Sequence, residues 1–387
     1  MTAATDVPGE TSGLGYPRPE PSSGDPLGWP AHGDAGVAEV SRETATTNDP
    51  SFGAPTDDDN AWDESVPASE PATDDRLRAE VVASLPSVEG DTPLAQAVAE
   101  DARKRIALAG RNLPRPARTR VLTVANQKGG VGKTTSTVNV AAALAQAGST
   151  VLVIDLDPQG NASTALGIDH HAEVPSVYDV LVEGAAIADI AKPCPDIDGL
   201  SCVPATIDLA GAEIELVSLV ARETRLSRAV TAYVAHREEV GDRLDYVFID
   251  CPPSLGLLTV NAFCAADEVF IPIQCEYYAL EGLSQLLKNI ELVRSHLNPD
   301  LHVSTILLTM YDGRTRLSAQ VAEEVRTHFP DQTLRATIPR SVRISEAPSF
   351  GQTVMTYDPN SSGALSYLEA ASETAERGAP TTGGNDE

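Results

Sequence analysis

The run Lys128-Gly129-Gly130-Val131-Gly132-Lys133-Thr134-Thr135 carries the residue types that hold a chain of phosphates. Its glycines let the backbone curl around an anion with no side chain in the way. Between a strand and a helix, such a loop aims its N–H groups and the positive helix end at the ligand. Lys133 then reaches the β- and γ-phosphates of ATP, and the Thr134 hydroxyl is placed to ligate Mg²⁺. The usual loop has a glycine five residues before Gly132. Position 127 is instead Gln127, and a second lysine, Lys128, opens the glycine run. Two acids complete a hydrolytic set. Asp155-Leu156-Asp157 closes one apolar run, and Asp250 closes another, ahead of Cys251-Pro252-Pro253. Asp250 suits a Mg²⁺-bound water and Asp157 suits the attacking water, because phosphoryl transfer asks chiefly for positioning and charge stabilisation. One aspartate after a strand is as often a helix cap. Three sites in this order carry the phosphate reading.

The elements around these residues place them at one end of a sheet. Val121–Ala125, Val151–Asp155, Tyr246–Asp250, Glu268–Ile273 and Val303–Met310 are short, nearly continuous apolar runs. Helical stretches such as Gly132–Ala147 and Ala279–Leu297 lie between them. That alternation predicts an α/β fold of the P-loop NTPase type, a mostly parallel sheet with helices on both faces. In open α/β sheets ligands bind at the carboxyl ends of the strands, so both acids should face the loop.

Before this domain the chain changes character. Residues 1–84 are rich in Pro, Gly, Ser, Thr and acids; residues 1–80 hold 17 acids and 4 bases, a net of −13 out of −28 for the chain. Such a segment cannot bury enough apolar surface to offset its entropy, which predicts a disordered acidic extension. Both tryptophans, Trp29 and Trp62, lie in it, as partner anchors or as chance exposed residues. Residues 85–117 form a helical segment and linker. Thr92 can cap a helix that Pro93 starts and Gly110 and Pro114 end, with a weak apolar face of Leu94, Ala97, Val98, Ala102 and Ile106. That face suits either the main domain or another protein. The ATPase domain should run over 118–377 and a polar tail over 378–387. Five scattered cysteines without a C-x-x-C pair read as reduced core thiols. The N-terminus lacks signal-peptide features, and no apolar run approaches a membrane span. A cytoplasmic protein is expected. Neither part of the chain is basic overall, so DNA contact would need a local arginine patch.

The double-lysine loop resembles the deviant phosphate loop of the ParA/MinD group of ATPases. The likeness extends through Asn126–Thr135, Asp155–Ala162, Leu209–Leu216, Ile249–Thr259, Pro272–Leu287 and Ile338–Ser349, which look like the chromosomal ParA/Soj family. It covers about residues 119 to 375. The resemblance implies an ATP-driven sandwich homodimer that binds DNA without sequence preference. A ParB-type partner then stimulates hydrolysis and releases it. Lys128 matches the lysine that reaches the partner subunit's nucleotide, Lys133 the loop lysine, Thr134 the Mg²⁺ ligand, Asp157 the hydrolytic aspartate and Asp250 the second acidic motif. Arg314 and Arg343 match the family's DNA-binding positions, with Arg340 as a helper and Arg316 as a nearby candidate. The protein is then expected on the nucleoid. Binding a polar scaffold, competing for the arginine patch and plain solubility are the three uses left open for the acidic extension.

Other readings fit less well. A MinD-like membrane-associated positioning ATPase would end in a basic amphipathic helix, whereas Gly378–Glu387 is polar and uncharged up to its last two acids. A redox ATPase like the nitrogenase iron protein needs paired cluster cysteines. A small-molecule kinase needs an acceptor site that no motif supplies. No helix-turn-helix pattern marks the N-terminal segment for operator reading.

Overall fold

The computed structural model describes residues 93–108 and 110–379. The expectations for residues 1–92, including Trp29, Trp62 and the Thr92 cap, lie outside the described residues, as does the tail from 380. The elements follow in order: α1 (Pro93–Leu108), β1 (Arg120–Val124), α2 (Lys133–Gln146), β2 (Val151–Asp155), α3 (Asn161–Ala165), a π-helical turn (Asp179–Glu183), α4 (Ile187–Ile190), β3 (Lys192–Pro193), β4 (Leu200–Val203) and α5 (Leu209–Leu216). Then come α6 (Arg225–Glu239), β5 (Tyr246–Asp250), α7 (Leu257–Ala265), β6 (Glu268–Gln274), α8 (Ala279–His296), β7 (His302–Tyr311) and α9 (Arg316–His328). The chain finishes with β8 (Thr333–Pro339), α10 (Val342–Glu346), a 3₁₀ turn (Ala347–Phe350), α11 (Val354–Tyr357) and α12 (Ser362–Gly378).

The eight strands form one sheet in the order β3-β4-β2-β5-β1-β6-β7-β8. Every pairing is parallel except the short β3 against β4. The central strands are buried along their whole length because both faces are covered. Alternation then sorts their side chains. Leu152, Ile154, Val247 and Ile249 enter one core with α6, α7 and α8. Val151, Val153, Tyr246 and Phe248 enter the other with α2 and α12. Register matters most at β1, β2 and β5: Val124 lies beside Asp250, and Asp250 beside Asp155, so the loop and both acidic strand ends finish at one level.

Two polar devices fix the rest. At the start of β1, Arg120 is buried; its Nε and Nη2 each donate to Glu268 of β6 at 2.7 Å, and Nη1 donates to the Thr374 carbonyl of α12 at 2.7 Å. At β8, the terminal strand, the Glu373 carboxylate of α12 accepts from the backbone N–H groups of Arg335 (2.8 Å) and Ala336 (2.7 Å). Helix α1 begins at Pro93 and packs on α12 mainly through charge. Lys104 lies 3.2 Å from Glu369, and Arg105 donates to the carbonyls of Pro359 and Ser361. Val98 and Ala102, two members of the expected apolar face, are exposed. Among the described residues no helix is long and apolar enough to cross a membrane.

Candidate nucleotide site

The loop leaves β1 at Val124 and enters α2 at Lys133. Gly130 (φ 74) and Gly132 (φ 88) adopt the left-handed backbone that favours glycine. A Cβ built on Gly130 meets nothing within 4 Å, so the demand there is conformational rather than steric. Neighbouring strands pin the loop. Asn126 accepts from the Lys128 N–H at 3.0 Å and donates to the Pro272 carbonyl at 2.8 Å. Thr309 of β7, fully buried, donates to the Val131 carbonyl at 2.8 Å.

Lys133 is buried at the start of α2, where its Nζ donates to the Lys128 carbonyl at 3.3 Å. Burial lowers its pKa, opposed by the charges of Asp250 and Asp157. Thr134 donates to Asp250 at 2.6 Å, and Thr137, one helical turn on, donates to the other Asp250 oxygen at 3.1 Å. Asp250 has no exposed surface. Burial raises its pKa, and the nearby Asp155 charge adds to the effect; the two threonine hydroxyls oppose it. Asp155 is held by the Ser163 N–H and hydroxyl at 2.8 and 2.7 Å. Three carboxylates, Asp155, Asp157 and Asp250, thus converge where one buried ammonium, Lys133, faces them.

Asp157 borders a cavity of about 420 Å³ together with Gly129, Gly130, Gly132, Lys133, Thr134 and Thr135. Gln159, Asn161, Thr164, Pro253 and Pro348 close its walls. Val131 of the run is turned inward and buried, and contributes its carbonyl to the framework rather than its side chain to the cavity. The Nε2 of Gln127, buried beside the loop, has no hydrogen-bond partner among the described residues. A buried donor without a partner is uncommon in a folded protein. Lys128 is half-exposed at the rim, and its Nζ lies 3.4 Å from Glu276.

The sequence reading thus brings Lys133, Thr134, Asp157 and Asp250 together, with Lys128 at the edge. It missed Asp155 as a buried partner, Thr137, Asn126, Thr309 and Glu276. Thr137 could have been read from its three-residue spacing after Thr134, which places both hydroxyls on one helix face. Thr309 of β7 and Glu276, just after β6, are distant in sequence from the loop and carry no local signal, and the bond from Asn126 to Pro272 depends on β6 lying beside β1. The arginines follow β7 and β8, at the same carboxyl end of the sheet as the loop but toward its β8 edge. Arg314 pairs with Asp312 at 2.9 Å, Arg340 with Glu276 at 3.5 Å, and Arg343 with Glu346 and Asp358 at 3.4 Å each. Arg316 is exposed at the first turn of α9. All five cysteines are buried free thiols, and burial pushes Cys194 up to about 12 and both Cys264 and Cys275 up to about 11.

Known proteins share this arrangement. A family model described as an AAA domain matches residues 119–303. The sporulation initiation inhibitor protein Soj of Bacillus subtilis is 53% identical over 259 residues, 67% of this chain and 99% of its own. The chromosome partitioning protein ParA of Caulobacter vibrioides is 52% identical over 258 residues, 67% of this chain and 94% of its own. A solved structure described as cobyrinic acid a,c-diamide synthase from Mycobacterium smegmatis, with bound ADP and magnesium, is 39% identical with a TM-score of 0.55; the match covers 65% of this chain and 92% of that one.

Proposed function

The chain belongs to the Soj/ParA family of chromosome-partitioning proteins, and from that premise we propose that it is an ATP-switched segregation ATPase. ATP binding closes two copies into a dimer that holds DNA without sequence preference, and hydrolysis, stimulated by a ParB-type partner, releases it. The observation that carries the reading is the double-lysine loop, whose Lys133 and Thr134 share one cavity with Asp157 while Asp250 is bonded to Thr134 beneath it. A solved relative carrying ADP and magnesium supports the same ligands here.

Each residue has a task that its surroundings suit. The loop N–H groups and the start of α2 bind the phosphates. Lys133 exchanges the weak Lys128 carbonyl for phosphate oxygens, which suits an ammonium already stripped of water. Thr134 and Asp250 would hold Mg²⁺, directly and through water; the ion supplies neutralisation of charge developing on the phosphates. Asp157, at the cavity wall, orients the attacking water. Lys128 leaves Glu276 to reach the partner subunit's nucleotide. Arg314, Arg340 and Arg343 contact DNA phosphates, a mode that carries no base code and weakens steeply with salt.

The test compares wild type with Lys133→Ala and Asp157→Ala for ATP binding, turnover and retention of unrelated DNA fragments. Lys133→Ala should lose ATP affinity by roughly a hundredfold and with it DNA binding. Asp157→Ala should bind ATP, lose turnover by about 10²-fold or more and stay on DNA. Equal DNA retention with ADP and ATP, or none with ATP at low salt, rejects the proposal.

A further inference from the structure

A recess of about 510 Å³ lies outside the nucleotide site, between α6 and the segment that links the π-helical turn to α4. Sequence explains why it is hollow. Ala185, Ala186 and Ala188 line one wall and Ala229 and Ala232 the other, so methyl groups stand where larger side chains would fill the gap. The wall is rigid. Arg225 donates through Nε to the Leu181 carbonyl and through Nη2 to the Val182 carbonyl (3.1 Å), which holds the π-helical turn against α6. Arg237 donates to the Tyr233 hydroxyl at 2.8 Å, which fixes the ring that borders the recess. A π-helical turn is rare, and such turns are frequent at functional sites.

The rim is basic on a chain whose net charge is −28. Arg228 and His236 are exposed there, and no ion pair or hydrogen bond holds either side chain among the described residues. Their placement decides the kind of ligand. Arg228, Ala232 and His236 follow at four-residue steps and share one face of α6. The two polar ends are therefore roughly 12 Å apart along the helix, with small residues between them. A single anionic head group cannot meet both ends. A helix lying along α6 can, with acids two turns apart and bulky apolar residues entering the alanine-lined floor.

We propose that this groove is a docking site for an acidic amphipathic helix of a partner protein. It is separate from the nucleotide cavity and does not depend on the functional reading above.

The probe is a fluorescein-labelled, stapled helix of about 18 residues, with one leucine stripe flanked by glutamates. A twin carries lysine in place of every glutamate, and anilinonaphthalene sulfonate stands for a small anionic amphiphile. Binding to the full chain is read by anisotropy and calorimetry. The acidic helix should saturate one site. Arg228→Glu and Ala232→Trp should each weaken it by about tenfold or more, and the lysine twin should bind wild type at least about tenfold more weakly. Thermal melting and ATP turnover of both variants should match wild type, which separates a blocked groove from a damaged fold. The proposal is overturned if neither helix binds, if both bind equally, or if the acidic helix is indifferent to both substitutions. It is also overturned if the dye alone occupies a site that Ala232→Trp closes, since the recess would then serve a small molecule.

Discussion

Asp250 sits at the residue scale of the problem: a carboxylate with no exposed surface, bracketed by two threonine hydroxyls and facing a second buried acid. Because its folded-state pKa is raised, the folded chain keeps a proton that the unfolded chain gives up near pH 4. Stability then declines as pH rises above that ordinary range, and the full cost of the charge is felt once pH passes the folded value. Nucleotide-free protein should therefore melt at a lower temperature at about pH 8 than at about pH 5. Asp250→Asn should flatten that dependence and abolish hydrolysis. Scanning fluorimetry of both proteins across the range checks this, and an unchanged slope in the variant would count against the buried charge as its source. The residues that could be read from the chain were those in one contiguous run or at the end of an apolar run: Lys133, Thr134, Asp157 and Asp250. The role of Asp155 depends on Ser163 wrapping back onto it, which no spacing rule reveals.

Among elements, the buried central strands were legible because they are uniformly apolar and short. β3, β4 and β8 were not. β3 is two residues long, β4 is the four-residue Leu-Ser-Cys-Val, and the edge strand β8 carries Arg335 on its exposed side and ends on Pro339, so shortness in the first two and edge position in the last dilute the apolar signal. The start of α1 at Pro93 followed from the chain, but its contact with α12 did not. Apolar periodicity pointed to a face of Leu94, Ala97, Val98, Ala102 and Ile106, of which Val98 and Ala102 are exposed, whereas Lys104 pairs with Glu369 of α12 and Arg105 holds the turn ahead of it. Arg120 links β1, β6 and α12 in one buried cluster, and its guanidinium also lies over the Tyr246 ring at 5.7 Å. Burial pushes the pKa of Glu268 up, and the Arg120 bonds outweigh that and hold it low. Arg120→Ala leaves that carboxylate buried and unpaired, which should cost about 3–5 kcal/mol. Urea unfolding of the variant measures it; a loss under about 1 kcal/mol would mean that water or Arg377 takes over the role.

At the scale of the whole molecule, the proposed hold on DNA asks an acidic chain to bind a polyanion. Arg314 and Arg343, the matched positions, and their helper Arg340 are each paired with a carboxylate, which offsets their positive charge. Binding to DNA then means exchanging those carboxylates for phosphates. Asp312 is the simplest to remove, since Arg314 beside it is 91% exposed. Asp312→Asn should raise the affinity of the ATP-bound protein for unrelated DNA by about two- to fivefold at low salt, with the gain fading as salt is added. Electrophoretic titrations at two ionic strengths decide it; weaker binding would mean that Asp312 positions Arg314 instead of competing for it.

Glu373 has a consequence at this same scale. A β-sheet rim with idle N–H groups is a template on which a second molecule can lay down a strand. Proteins gathered on a chromosome meet one another at concentrations that favour such growth. By occupying the amides of Arg335 and Ala336, one carboxylate from α12 removes the first rung of that ladder. Copies of the chain that reach such concentrations are thereby denied the edge along which they would zip into fibres.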